Sequence, residues 1–117
     1  MQAIKRDTLK EMLDRGEPFA LVEVLPRGQY RKFHIPGAVN APLDQDFAQT
    51  MEKLVPDRHE TVVVYCSDAH CQASPQAGRM LEEMGYTDVL HYPGGKKEWR
   101  GSGLPLEGEG GEARPQA

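Results

Sequence analysis

The 117-residue chain has only two cysteines, one tryptophan and a net charge of -4. Each scarcity excludes something. Two cysteines are too few for a secreted scaffold stapled by disulfides; without a secretory signal they point to reactive thiols in a reducing cytoplasm. The opening residues, Met1-Gln2-Ala3-Ile4-Lys5-Arg6-Asp7, lack the apolar stretch of such a signal. A surplus of acid over base argues against nucleic acid as a partner, because a binder of phosphates presents a basic face. It also gives no attraction to anionic membrane surfaces, and no apolar run approaches the roughly 18 residues of a membrane span. A single domain of this length buries about two thirds of its unfolded surface and needs no metal to fold.

The most informative stretch is Thr61-Val62-Val63-Val64-Tyr65-Cys66-Ser67-Asp68-Ala69-His70-Cys71-Gln72-Ala73-Ser74. A β-branched run too short for a helix reads as a strand buried on both faces. A cysteine, a short polar loop and a helix start follow it. The carboxyl end of a buried strand, facing the next helix, is where open α/β sheets place their chemistry. Unpaired N–H groups and the partial positive charge of a helix N-terminus favour thiolate over thiol. Cys66 is therefore the candidate nucleophile.

The flanking segments alternate helix and strand. Asp7 or Thr8 is placed to cap a first helix with apolar Leu9, Met12 and Leu13, and Gly16 suits its end. Phe19 to Leu25 reads as a strand, Arg27 to Phe33 as a short helix, and Pro36-Gly37 as a turn before a very short strand. Asp44 or Asp46 starts a helix through Met51 and Leu54. Ser74 to Met84 is the helix after the cysteine loop, Asp88 to Tyr92 a last strand, and Pro93-Gly94-Gly95 a turn into a segment carrying Trp99. Such alternation implies a parallel sheet covered on both sides. From Glu107 onward the chain is Gly- and Glu-rich and reads as a disordered tail.

Two separated segments together resemble the single-domain rhodanese family. Leu21-Val22-Glu23-Val24-Leu25, then Tyr30, then His34-Ile35-Pro36-Gly37-Ala38 is similar to the family's LIDVR, Tyr and GHIPGA. Val62 to Cys66, the loop, Gly85-Tyr86, Gly94-Gly95, Trp99 and Gly103-Leu104-Pro105 follow in the family's order and spacing. The resemblance implies a three-layer α/β fold over residues 1–107, with a mostly parallel five-stranded sheet between helices, and a tail at 108–117. It implies a sulfurtransferase in which Cys66 carries sulfur as a persulfide, with Ser67, Asp68, Ala69, His70 and Cys71 as the substrate-binding loop. Neither cofactor nor metal is implied. The expected partners are a small sulfur compound or a protein persulfide, and the chain is expected to be a monomer or weak dimer.

Three departures shape the expectations. Glu23 stands for the usual Asp, and Leu25 replaces the common Arg, which leaves a charge pair near the site without its cation. The loop has no Arg or Lys. A helix N-terminus stabilises a thiolate by about 0.3–1 kcal/mol, while Asp68 at roughly 7 Å opposes it by about 0.6 kcal/mol in water and 2.4 at an effective dielectric near 20. For a dianionic donor the penalty doubles, so weak thiosulfate activity is expected. The persulfide is expected to rest on converging loop amides instead of charged side chains.

Alternatives are open at several positions. Cys71 is either a resolving thiol or a loop filler, and His70 either polarises a donor or is simply exposed. Cys66, His70 and Cys71 have zinc-ligand chemistry but not structural-zinc spacing. His34 is expected to fix turn geometry; His59 and His91 have no partner visible in sequence. A cysteine phosphatase needs an arginine where Gln72 stands, so oxyanion chemistry of that kind lacks its guanidinium. The remaining rival is a module that binds a partner or senses oxidants through Cys66 and Cys71 without efficient turnover.

Overall fold

The computed structural model describes residues 1–109. Five strands, β1 (Gln2–Ala3), β2 (Ala20–Glu23), β3 (Val39–Asn40), β4 (Val62–Tyr65) and β5 (Val89–Tyr92), form one sheet in the order β1-β5-β4-β2-β3. Every pairing is parallel. Between them run α1 (Arg6–Asp14), α2 (Arg27–Lys32), α3 (Phe47–Leu54) and α4 (Ala73–Glu83), and α5 (Gly95–Gly101) follows β5. This is the five-stranded α/β arrangement that the resemblance implies, with all pairings parallel.

The central strand explains the two-sided core. Side chains alternate along β4, so Val62, Val64 and Cys66 join one apolar layer with Phe47 and Met51 of α3 and Ala77 and Leu81 of α4. Val63 and Tyr65 point to the opposite layer with Leu9 of α1 and Trp99 of α5. Both faces are covered, which is why the strand reads as an unbroken apolar run instead of an alternating one.

Several boundaries differ from the sequence reading. Lys5 occupies the N-cap of α1 with no side-chain cap bond, so Asp7 and Thr8 lie inside the first turn. Asp7 there faces the helix dipole favourably. Gly16 does end the helix: its φ is +66°, its amide donates to the Leu13 carbonyl at 3.1 Å, and that of Glu17 donates to Met12 at 3.2 Å. β1 escapes sequence reading because its two residues are exposed and become a strand only by pairing with Leu90 and His91.

Glu107 and Glu109 are tied to the body of the domain. Glu107 and His34 exchange backbone hydrogen bonds of 2.7 and 2.9 Å, and the Glu109 amide donates to the Arg31 carbonyl at 2.8 Å. The rest of the expected tail, 110–117, lies outside the described residues. Among the described residues no helix is long and apolar enough to cross a membrane.

Candidate active site

Cys66 follows β4 directly and is 1% exposed. Its loop is Ser67 and Asp68, half-buried, then Ala69 and His70, exposed, then Cys71, half-buried. α4 starts at Ala73, and the Gln72 side chain makes no cap bond there. The first-turn amides of α4 are thus not spent on a capping side chain. Pro75 sits in that turn, where a missing N–H costs no intrahelical bond.

The loop is folded on Asp68. Its Oδ1 accepts the His70 amide at 2.9 Å and its carbonyl accepts the Cys71 amide at 3.2 Å. These two amides are therefore turned back into the loop, a correction to the expectation that all of them converge on the sulfur. The amides of Ser67, Asp68 and Ala69 donate to no protein group among the described residues. The turn also brings Cys71 back to Cys66. The two are joined in a disulfide with Cα atoms 6.4 Å apart, within the usual span of such bonds.

Behind the loop lies α5. The Lys96 amide donates to the Cys66 carbonyl at 3.0 Å and the Lys97 amide to the Ser67 carbonyl at 2.8 Å. Gly95 has φ +67°, and a Cβ on it would stand 2.6 Å from the Cys66 carbonyl oxygen and 2.8 Å from the Asp68 nitrogen. Both facts demand glycine. Gly95→Ala is expected to lower stability by about 2–4 kcal/mol, combining the left-handed backbone with a clash against immobile main chain. It should also slow any turnover that depends on this loop by about 100-fold, since a shift near 1 Å at a reacting group costs that much. Denaturant melts and turnover assays check this; a variant matching the parent in both would show that the loop gives way without cost.

The charge pair expected to be missing is present. Glu23, fully buried, receives Lys96 Nζ at 3.0 Å on Oε2 and the Tyr65 hydroxyl at 2.9 Å on Oε1. Lys96, 5% exposed, also donates to the carbonyls of Gln29 at 3.1 Å and Phe33 at 2.8 Å, and lies 4.5 Å from the centre of the Phe33 ring. The cation that Leu25 does not supply comes from α5 across the sheet end. Burial pushes the Glu23 carboxyl above its ordinary pKa against the pull of Lys96 and Tyr65. Burial pulls the Lys96 ammonium down against Glu23, and burial then Glu23 push the Tyr65 hydroxyl well up.

Cations reach the loop from elsewhere in the chain as well. A cleft of about 570 Å³ beside Ser67 and Asp68 is lined by Gln29, Lys32 and Phe33 from the α2 side and by Lys96, Lys97, Arg100 and Gly101 from α5. Arg100 stacks over Phe33 at 5.2 Å. Judging the donor from loop charge alone therefore missed Lys32, Lys97 and Arg100. Ala69 and His70 border a second hollow of about 400 Å³ with Gly94 and Glu98, which shares Asp68 and Lys97 with the first. His34 is a structural residue: its ring stacks on Tyr30 at 3.8 Å and its Nδ1 meets the Tyr30 carbonyl at 2.8 Å. His59 lies 3.4 Å from the Thr87 hydroxyl, and half-buried His91 on β5 is held below its ordinary pKa by desolvation.

An open parallel sheet with a cysteine loop between its central strand and the next helix defines a class of fold in which the strand end carries the chemistry. The family model for the rhodanese-like domain matches residues 5–102, and the chain belongs to that family. It is 37% identical over 105 residues to the HTH-type transcriptional regulator Rv0324 of Mycobacterium tuberculosis, covering 90% of this chain and 44% of the regulator. The chain thus spans under half the length of that relative. It is 39% identical over 77 residues to the thiosulfate sulfurtransferase PspE of Escherichia coli, covering 66% of this chain and 70% of that protein. The solution structure of the rhodanese-like domain of the Anabaena sp. Alr3790 protein superposes with a TM-score of 0.84 at 26% identity, covering 100% of this chain and 86% of that one.

Proposed function

We propose that the chain is a sulfurtransferase that moves sulfane sulfur from an anionic donor, thiosulfate or a persulfide, to a thiol or cyanide through a persulfide on Cys66. The observation that carries this is the position of Cys66: buried at the end of β4, before α4, and followed by Ser67 and Asp68, which line a cleft edged by Lys32, Lys97 and Arg100. In the first displacement the Cys66 thiolate attacks the outer sulfur of thiosulfate, and sulfite leaves with the electrons of the broken S–S bond. In the second, an acceptor thiolate or cyanide takes that sulfur and the Cys66 thiolate is regenerated. In this reading the persulfide anion is held by the amides of Ser67, Asp68 and Ala69, which no protein group among the described residues engages. The thiol form of Cys66 is the active one, which suits a reducing cytoplasm.

Reduced Cys71→Ser protein, in which the loop disulfide cannot close, should gain about 32 Da on the Cys66 peptide when given thiosulfate and lose it to cyanide as thiocyanate. No mass gain with any sulfane-sulfur donor would end this reading.

The cleft changes the expectation for thiosulfate. Three cations facing one Asp68 favour a dianion, so the donor binds better than the loop's own charges suggest. Each exposed cation contributes about 0.2–1 kcal/mol to a charge pair. Removing both in Lys97→Ala/Arg100→Ala should therefore raise KM for thiosulfate about two- to thirtyfold, with a smaller change in kcat. The loss should shrink as salt is added and for an uncharged donor. Equal losses for charged and uncharged donors would assign these residues to folding instead.

A second reading has one observation in its favour. The Cys66–Cys71 disulfide leaves neither sulfur free, as in a module that registers oxidants, and the relative named a transcriptional regulator fits such a role. Peroxide would then form the disulfide, while sulfane-sulfur donors would leave no transferable sulfur.

A further inference from the structure

The disulfide says which sulfur Cys71 can reach. Asp68 fixes a reversal of the chain through its bonds to the His70 and Cys71 amides, and Cys71 packs against the same apolar layer as Cys66. So placed, the Cys71 sulfur meets the Cys66 Sγ itself. In a charged enzyme that atom is the inner sulfur of the persulfide.

We propose that Cys71 is an internal acceptor: it attacks the inner sulfur of the Cys66 persulfide, expels hydrosulfide and closes the Cys66–Cys71 disulfide. The chain is then a sulfide-releasing sulfurtransferase recycled by a dithiol reductant. This rests on the sulfur-transfer reading above and deepens it by naming the second substrate's class.

The step balances without an outside oxidant. Cys66–S–S⁻ and Cys71–SH give Cys66–S–S–Cys71 and HS⁻. The bond between inner and outer sulfur breaks, the bond between the two cysteine sulfurs forms, and the departing sulfur takes the electron pair and the Cys71 proton. That sulfur is reduced to sulfide while the cysteine pair is oxidised by two electrons. A dithiol then returns both cysteines to thiols and leaves as its own disulfide. Over the cycle, thiosulfate and a dithiol become sulfite, hydrogen sulfide and a disulfide.

Two physical arguments favour this route over transfer to a free monothiol. A correctly held internal thiol competes at effective concentrations of about 10⁵ M or more, which no soluble monothiol matches. Hydrosulfide is also a weaker base than a cysteine thiolate, so it departs more readily from the inner sulfur. Attack on the outer sulfur instead would need Cys71 one bond further out, away from where the Asp68 turn holds it.

The test is a single turnover with pre-reduced, desalted protein, thiosulfate and no added thiol. Sulfite reports charging of Cys66, sulfide reports its internal discharge, and peptide mass locates the sulfur. The parent should release about one equivalent of each and end as the Cys66–Cys71 disulfide, whereas Cys71→Ser should release sulfite, keep the extra 32 Da or so on Cys66 and yield under about a tenth of an equivalent of sulfide. A parent that keeps its persulfide, a Cys71→Ser variant that frees sulfide as fast, or extra sulfur found on Cys71 would each overturn the proposal. Absence of sulfite from both proteins would overturn the sulfur-transfer reading itself and this inference with it.

Discussion

Cys66→Ser is expected to bring sulfur transfer to background. A hydroxyl at this position cannot hold the sulfane sulfur: it is not ionised near neutral pH, and the transferable bond is one between two sulfurs. No shift in substrate concentration restores a step that lacks its bond. The substitution also removes the disulfide and places a hydroxyl where Cys66 packs against apolar neighbours. Stability therefore falls too, by roughly 1–3 kcal/mol for the buried polar group. Cys71→Ser is the control, since it loses the same disulfide while keeping the nucleophile. Thiocyanate formation from thiosulfate and cyanide, beside denaturant melts of both variants, separates chemistry from folding. Residual transfer above about 1% of the parent in a folded Cys66→Ser protein would move the nucleophile elsewhere.

Lys96→Met is expected to cost about 3–5 kcal/mol of stability, because it strands a buried carboxylate. Domains of this kind have about 5–15 kcal/mol in total, so the variant approaches unfolding. Glu23 is fully buried and loses its only cationic partner among the described residues, keeping the Tyr65 hydroxyl alone. Its carboxyl already sits above its ordinary pKa through burial, and loss of Lys96 pushes it further in the same direction. A carboxyl raised in the folded state favours folding when protonated. Its contribution is thus fully present below the unfolded pKa and lost as pH rises through the folded one. The deficit of Lys96→Met against the parent should therefore shrink as pH falls toward Glu23's raised pKa. Lys96→Met/Glu23→Leu, which removes both charges, should recover most of the loss. Urea melts at neutral and mildly acid pH test all three statements. A deficit below 1 kcal/mol, or one that does not change with pH, would mean that water already solvates Glu23.

The sheet and the place of Cys66 at the end of its central strand were legible because both follow from short-range pattern. Val62 to Tyr65 is β-branched, apolar and bounded, and Cys66 stands at its carboxyl end. The ionic anchor was harder to see, since Glu23 and Lys96 are 73 residues apart. One signal was available: a carboxylate within the apolar run from Phe19 to Leu25 cannot be buried alone, so some distant cation had to meet it. The cleft cations left no such trace. Lys32, Lys97 and Arg100 read as ordinary surface charge until α2 and α5 converge beside Ser67. The loop's internal turn lies between these cases. Asp68 two residues before His70 permits an Asx turn, but only coordinates show that it spends two amides otherwise free for sulfur.

Alternation along β4 puts Cys66 against one layer of the interior and Tyr65, with Glu23 and Lys96, against the other. The candidate nucleophile and the ion pair beside its loop therefore draw on separate layers of the interior. On the proposed reading, exchanging surface cations on α2 or α5 retunes what docks beside Ser67 and Asp68 while the packing beneath Cys66 goes undisturbed. On that same reading, substrate preference can drift long before the handling of sulfur does.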